Sequence, residues 1–190
     1  MFDFFNDSAK KQKSASDISP SFLVTKNKRR MSFVARTDAI SEHLVRLGDN
    51  ETHHIISNGS FGSNELLLAF HRKNNVKTLY ITTWSFNDEF IDVMKEINPE
   101  KVVFLCDKSI IGRKAAFYGR LRIFAESRSN FLIKLINGLH SKVMLLECET
   151  GFYVYEASAN FSRNVRIEQF LVTKSRELYD FHLEWIGRLL

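Results

Sequence analysis

Cysteine is scarce in this chain, no apolar stretch is long, and no apolar core follows the N-terminal charges. Each absence narrows what the chain can be. Only Cys106 and Cys148 occur in 190 residues, without CxxC spacing, so no disulfide framework can form. That usage suits a reducing compartment, and without a signal-peptide pattern the expected location is cytoplasmic. No stretch approaches the roughly 18–20 apolar residues that span a bilayer, so no membrane partner is expected. There is no internal repeat. With 44% hydrophobic and 26% charged residues, the composition is that of a globular chain, neither disordered nor fibrous. The length allows one sizeable core and is short for two.

What is present is uneven charge. Residues 1–36 hold Lys10, Lys11, Lys13, Lys26, Lys28, Arg29, Arg30 and Arg36 against Asp3, Asp7 and Asp17, which accounts for the whole formal net charge of +5. The remainder, 37–190, is neutral overall and reads as a single domain. A basic, serine-bearing arm of this kind suits a polyanion partner, because each cation near a phosphate releases counterions. A solvated, flexible tail explains the same charge equally well.

Along the body, helical spacing is expected from Ala39 to Leu47, from Glu65 to Arg72 behind a Ser63 cap, and over Phe90, Ile91, Met94 and Ile97 behind Asn87. Ile110–Tyr118 and Phe131–Ile136 also read as helices, and the chain closes on a helix from Glu177. Strands are expected at His53–Ser57, Val76–Thr83, Val102–Cys106, Leu121–Phe124, Lys142–Glu147, Phe152–Tyr155 and Ile167–Thr173. This alternation, followed by a hairpin at Thr150-Gly151, indicates an α/β fold: a mixed β-sheet flanked by helices on both faces.

The chemistry concentrates in Leu139-His140-Ser141-Lys142, Ala157-Ser158-Ala159-Asn160 and Ile167-Glu168. His140 and Lys142 are two apart, so on a strand both point to one face. Two like charges side by side are costly unless an anion lies between them. The small residues Ala157, Ser158 and Ala159 let a loop approach closely. A histidine, a lysine, a hydroxyl and an amide converging at strand ends suit a phosphate. Taken singly, His140 reads as a structural histidine, Lys142 as a solvated lysine, and Ser158 and Asn160 as turn residues. His53 and His54 are adjacent and point oppositely on a strand, so no zinc site is expected. His182 and Trp185 lie on the last helix's apolar stripe and read as core.

In this order the residues resemble the HKD motif of the phospholipase D superfamily: H-x-K-x4-D, then G-S-x-N and a downstream acid. His140, Lys142, Ser158 and Asn160 match directly, and Glu168 stands at the late acidic position. Glu147 replaces the motif's Asp and Ala157 its Gly, and the longer gap between the elements is absorbed by the Thr150-Gly151 turn. The resemblance covers 140–169 and implies a phospholipase D-like α/β/α sandwich. It implies a metal-independent phosphodiesterase, of the nuclease-like, single-motif kind, that needs no cofactor and works through a phosphohistidine. With one motif per chain, the site is expected at a homodimer two-fold with both His140 side chains facing one phosphate. Catalytic roles then fall to His140, Lys142, Ser158, Asn160 and Glu168, the last orienting an imidazole, while Glu147 is structural. Arg163, Asn164 and Arg166 either grip flanking phosphates of a DNA or RNA substrate or form a polar loop. Two other readings stand beside this one. One is a catalytically silent nucleic-acid-binding or scaffold protein, which Glu147 and Ala157 favour if the loop needs a positive φ at 157. The other, less favoured, is a lipid phosphodiesterase.

Overall fold

The computed structural model describes 47–57, 59, 61–162 and 166–190, and the backbone of Lys28–Val34. Eight strands form one mixed sheet: β1 (Lys28–Val34), β2 (Glu51–Ser57), β3 (Val76–Thr83), β4 (Lys101–Asp107), β5 (Phe131–Ile136), β6 (Val143–Cys148), β7 (Gly151–Ala157) and β8 (Glu168–Lys174). Their spatial order is β1-β2-β8-β7-β6-β3-β4-β5. The pairs β1–β2, β3–β4 and β4–β5 are parallel, and the strands between β2 and β3 run antiparallel to their neighbours. The sheet therefore begins within the basic 1–36 stretch. The helix expected over Ala39–Leu47 lies outside the described residues apart from Leu47.

Alternation along the strands builds two cores. On one face Leu79, Ile81, Phe104, Met144, Tyr155 and Phe170 pack against α1 (Ser63–Asn74), α2 (Glu89–Ile97), α3 (Ile110–Arg113) and α4 (Ala115–Glu126). On the other, Val103, Leu105, Leu145 and Val154 meet Tyr179, Ile186 and Leu189 of α5 (Arg176–Leu189). Apolar side chains on both faces of β3, β4 and β6 require helices on both, as the sequence predicts. Among the described residues no helix is long and apolar enough to cross a membrane.

Two expected elements exchange identity. Phe131–Ile136 is a strand, because its nearly continuous apolar run pairs in parallel with Val102–Asp107, and a short run of this kind has no period that separates helix from strand. Leu121–Phe124 is helical, inside α4. Leu121 and Ala125, four apart, face the core, while Ile123 is 66% exposed, so the apparent alternation is one turn of helix. The helix expected over Ile110–Tyr118 breaks at Lys114, whose backbone is not helical and whose ammonium donates to the Phe86 carbonyl. The caps also shift by one residue. Gly62, not Ser63, caps α1, and its N–H donates to the Glu65 carboxylate. Ser63 is instead buried, donating to the Ala159 carbonyl and accepting from Tyr155 Oη at 2.8 Å. Asp88, not Asn87, precedes α2.

This topology collects the carboxyl ends of β2, β3, β4, β5 and β7 and the amino ends of β6 and β8 along one edge of the sheet. Asp107, the last residue of β4, ties that edge together. Its buried carboxylate accepts the Ser109 amide at 3.0 Å and the Ser109 hydroxyl. Burial works to raise its pKa. The Ser109 hydroxyl and the amides of Ser109, Gly138 and Leu139 outweigh that and hold the carboxyl below its ordinary value of 3.8. A depressed carboxylate stabilises the fold fully above pH 3.8, and that contribution disappears as pH falls through the lower folded value. Asp107→Asn is therefore expected to lose about 1–3 kcal/mol at neutral pH by urea denaturation. The difference from the wild type should close in acid. Equal stability at neutral pH would mean that Asp107 does not carry this load.

Candidate active site at one edge of the sheet

The functional side chains come from three segments that meet at this edge. The first is the lead-in to β6. Thr82, near the end of β3 and fully buried, accepts the Ser141 hydroxyl at 2.9 Å and the Val143 amide at 3.1 Å through Oγ1. Together with the hold of Asp107 on Gly138 and Leu139, this fixes the chain on both sides of His140. His140 is exposed and Lys142 half-buried. The Lys142 ammonium donates to the His140 carbonyl at 2.8 Å and lies 3.0 Å from Nδ1 of its ring. Burial lowers the Lys142 pKa below the ordinary lysine value, while the nearby Glu168 carboxylate works against that shift.

The second segment, Ala157-Ser158-Ala159-Asn160-Phe161, shows why small and aromatic residues alternate there. Ala159 and Phe161 are buried, Phe161 edge-on to Phe90 at 5.3 Å, so Ser158 and Asn160 turn outward together. Asn160 Oδ1 accepts from the Trp84 amide and the Thr83 hydroxyl, each at 3.2 Å, which leaves Nδ2 as the end that can donate to an anion. Among the described residues the positive-φ non-glycines are Asn50, Asn75 and Asn98. Ala157 is thus an ordinary strand residue, paired with Phe170, and its methyl imposes no backbone strain.

The third segment is the start of β8. Glu168 is buried and accepts from the Ser158 hydroxyl, while the Gln169 amide donates to Ser158 Oγ at 3.0 Å. Serine and glutamate thus act as one unit, while both ring nitrogens of His140 lie near the Lys142 ammonium, Nδ1 at 3.0 Å and Nε2 at 3.3 Å.

Of the residues singled out from sequence, His140, Lys142, Ser158, Asn160 and Glu168 share this edge. Glu147 does not: it lies near the far end of β6, opposite Phe152, about 15 Å along the strand from Lys142. Arg166 is exposed beside Ile167, and Arg163 and Asn164 lie outside the described residues. His53 and His54 fall on β2, and among the described residues no three or more His, Cys, Asp or Glu gather as metal ligands. His182 is buried and accepts from Trp185 Nε1 at 2.9 Å, with its pKa pushed down to about 4 by burial.

Thr82, Thr83, Trp84, Asp107 and Arg113, all described at this edge, were not singled out. Trp84 follows β3 directly, its ring 5.7 Å from that of His140, and the Arg113 guanidinium lies over it at 3.7 Å. The available signal was position, since Trp84 and Asp107 stand at carboxyl ends of parallel strands, where α/β folds bind ligands.

No protein-family model matches the sequence, and no curated protein matches it. Solved structures do. Nuc, a phospholipase D family member from Salmonella typhimurium, superimposes with a TM-score of 0.54 at 16% identity, over 73% of this chain and 94% of that one. Yeast tyrosyl-DNA phosphodiesterase is similar over 62% of this chain and 28% of its own, with a TM-score of 0.36 and 15% identity. A mixed sheet between two helical layers, superimposing on nearly the whole of Nuc, gives this chain the same fold as that phospholipase D family member.

Proposed function

We propose that this chain is a metal-independent phosphodiesterase acting on nucleic acid, with His140 as nucleophile. One observation carries the reading: on a phospholipase D fold, His140, Lys142, Ser158, Asn160 and Glu168 meet at the edge where parallel strands end.

The chemistry follows from what these groups offer. A neutral imidazole attacks phosphorus, and the P–O bond to the leaving oxygen breaks as that oxygen takes a proton. The product is a phosphohistidine. A second imidazole, from the other copy's His140, supplies the proton and then deprotonates the water that cleaves the P–N bond, restoring both rings. Lys142 and the Asn160 amide stabilise charge on the non-bridging oxygens, a part a metal ion plays elsewhere. An ammonium partly withdrawn from water holds such an oxygen more strongly than a fully solvated one. Ser158, tied to Glu168, keeps the Asn160 loop in place. One chain supplies one such histidine, so the site is completed at a two-fold between two copies.

Ala157 supports turnover over the silent-scaffold reading, because the strain that would have pushed the loop outward is absent. In excess chelator, the wild type is expected to cut plasmid, single-stranded DNA or RNA. His140→Ala should lower the rate by about 10²–10⁴-fold or more. A strict metal requirement, or cutting that survives His140→Ala, would overturn the mechanism. Light scattering at working concentrations should give a dimer, and mixed dimers carrying one His140→Ala copy should be inactive. An active monomer would refute the shared site.

A further inference from the structure

The Trp84–Arg113 pair stands beside His140 without a part in that chemistry. Arg113 ends the short helix α3 and is exposed, yet its guanidinium is fixed at three points. Its Nη2 donates to the Trp84 carbonyl at 3.0 Å, its Nε donates to Ser109 Oγ at 3.0 Å, and its Cζ lies 3.7 Å from the centre of the indole. Both supports are themselves held. The Trp84 amide is on Asn160, and the Ser109 hydroxyl is on the Asp107 carboxylate. A guanidinium is therefore held over the indole, next to the proposed nucleophile, on an exposed residue that can offer the face turned away from the indole.

Magnitudes argue against a purely structural role. An exposed cation–π contact contributes about 0.5–1 kcal/mol, and immobilising an arginine costs about as much or more in rotamer freedom. Stability gains little from the arrangement, because both hydrogen bonds of the guanidinium are exposed and replace bonds to water. Arginine usually grips phosphate bidentately through its fork of N–H donors, but here Nε and Nη2, one such edge, are already given to Ser109 and the Trp84 carbonyl. A planar, prepositioned cation with one free face matches a different ligand group, the π-face of a nucleobase. In a duplex both faces of each base are covered by its neighbours, whereas a single strand can turn one outward.

We propose that Arg113, backed by Trp84, is the nucleobase platform of this site and selects single-stranded nucleic acid, stacking the base adjacent to the phosphate that His140 attacks. This rests on the phosphodiesterase reading only for the position of that phosphate. Binding is measured on the full chain by fluorescence anisotropy, in a His140→Asn background so that turnover does not consume the probe. The probes are a short labelled single-stranded oligonucleotide, an abasic oligomer of equal charge, and the same sequence as a duplex. Stacking by one base predicts that the abasic oligomer and the duplex bind about tenfold more weakly than the single strand. Arg113→Lys, which keeps the charge and loses the plane, should weaken the single strand by a similar factor and the abasic oligomer hardly at all. Equal affinity for normal and abasic oligomers, tighter binding of duplex, or full rescue by lysine would each overturn the platform. The abasic comparison needs no substitution at Arg113, so it decides even if that variant misfolds. Cleavage is scored apart: a chain that shows the stacking signature but cuts nothing keeps the platform and loses the phosphodiesterase reading. One that cuts yet ignores the base does the reverse.

Discussion

One buried carboxylate sets the geometry of the edge where the motif residues gather. Asp107 ends β4, the strand next to the edge strand β5, and draws three neighbours inward: the start of α3, and Gly138 and Leu139 just before His140. A carboxylate accepts from several directions at once, which a neutral side chain of its size does not. The loop that carries His140 and the helix that carries Arg113 are thereby referred to one point. Thr82 does the corresponding work from β3, gripping the segment just after His140 through a hydroxyl with no exposed surface. His140 is exposed while the backbone on both sides of it is fixed. The nucleophile proposed at His140 would need both properties, to reach a substrate and to stay in place.

The parts of the fold that were legible in the sequence are those whose local pattern and tertiary setting agree. Val76–Thr83 is a strand with the bounds expected, because its many β-branched residues also have partner strands on both sides. Asn75 and Asn98 end their helices in left-handed conformations, which asparagine adopts readily. Where local pattern was ambiguous, the sheet decided. Phe131–Ile136 has no period to read, and what makes it a strand is the free edge of β4, which no local window contains.

The site divides the same way. Ser158 and Asn160 were legible because their spacing, with buried Ala159 and Phe161 between and beyond them, is itself a two-residue period. Asp107 was not. An aspartate at a strand end looks like any turn residue, and its role depends on Gly138 and Leu139, thirty residues away and brought near by the β4–β5 pairing. Arg113 was hidden for a related reason, since its guanidinium matters through Trp84, which follows β3 and lies 29 residues earlier in the chain. The Gly-to-Ala departure at 157 looked damaging as a letter change and is harmless as a conformation.

The order of the sheet also bears on when the site comes into being. Strand β8 is the last to leave the ribosome, yet it sits between β2 and β7, and the Thr52–Thr173 hydroxyl pair joins residues 121 positions apart. Glu168, which anchors the serine of the motif, is the first residue of that strand. Contacts so distant along the chain form late and slowly. A nascent chain that has already exposed Lys142 and His140 still lacks the support beneath Ser158. The five side chains of this edge are therefore all supported only once β8 has paired with both β7 and β2.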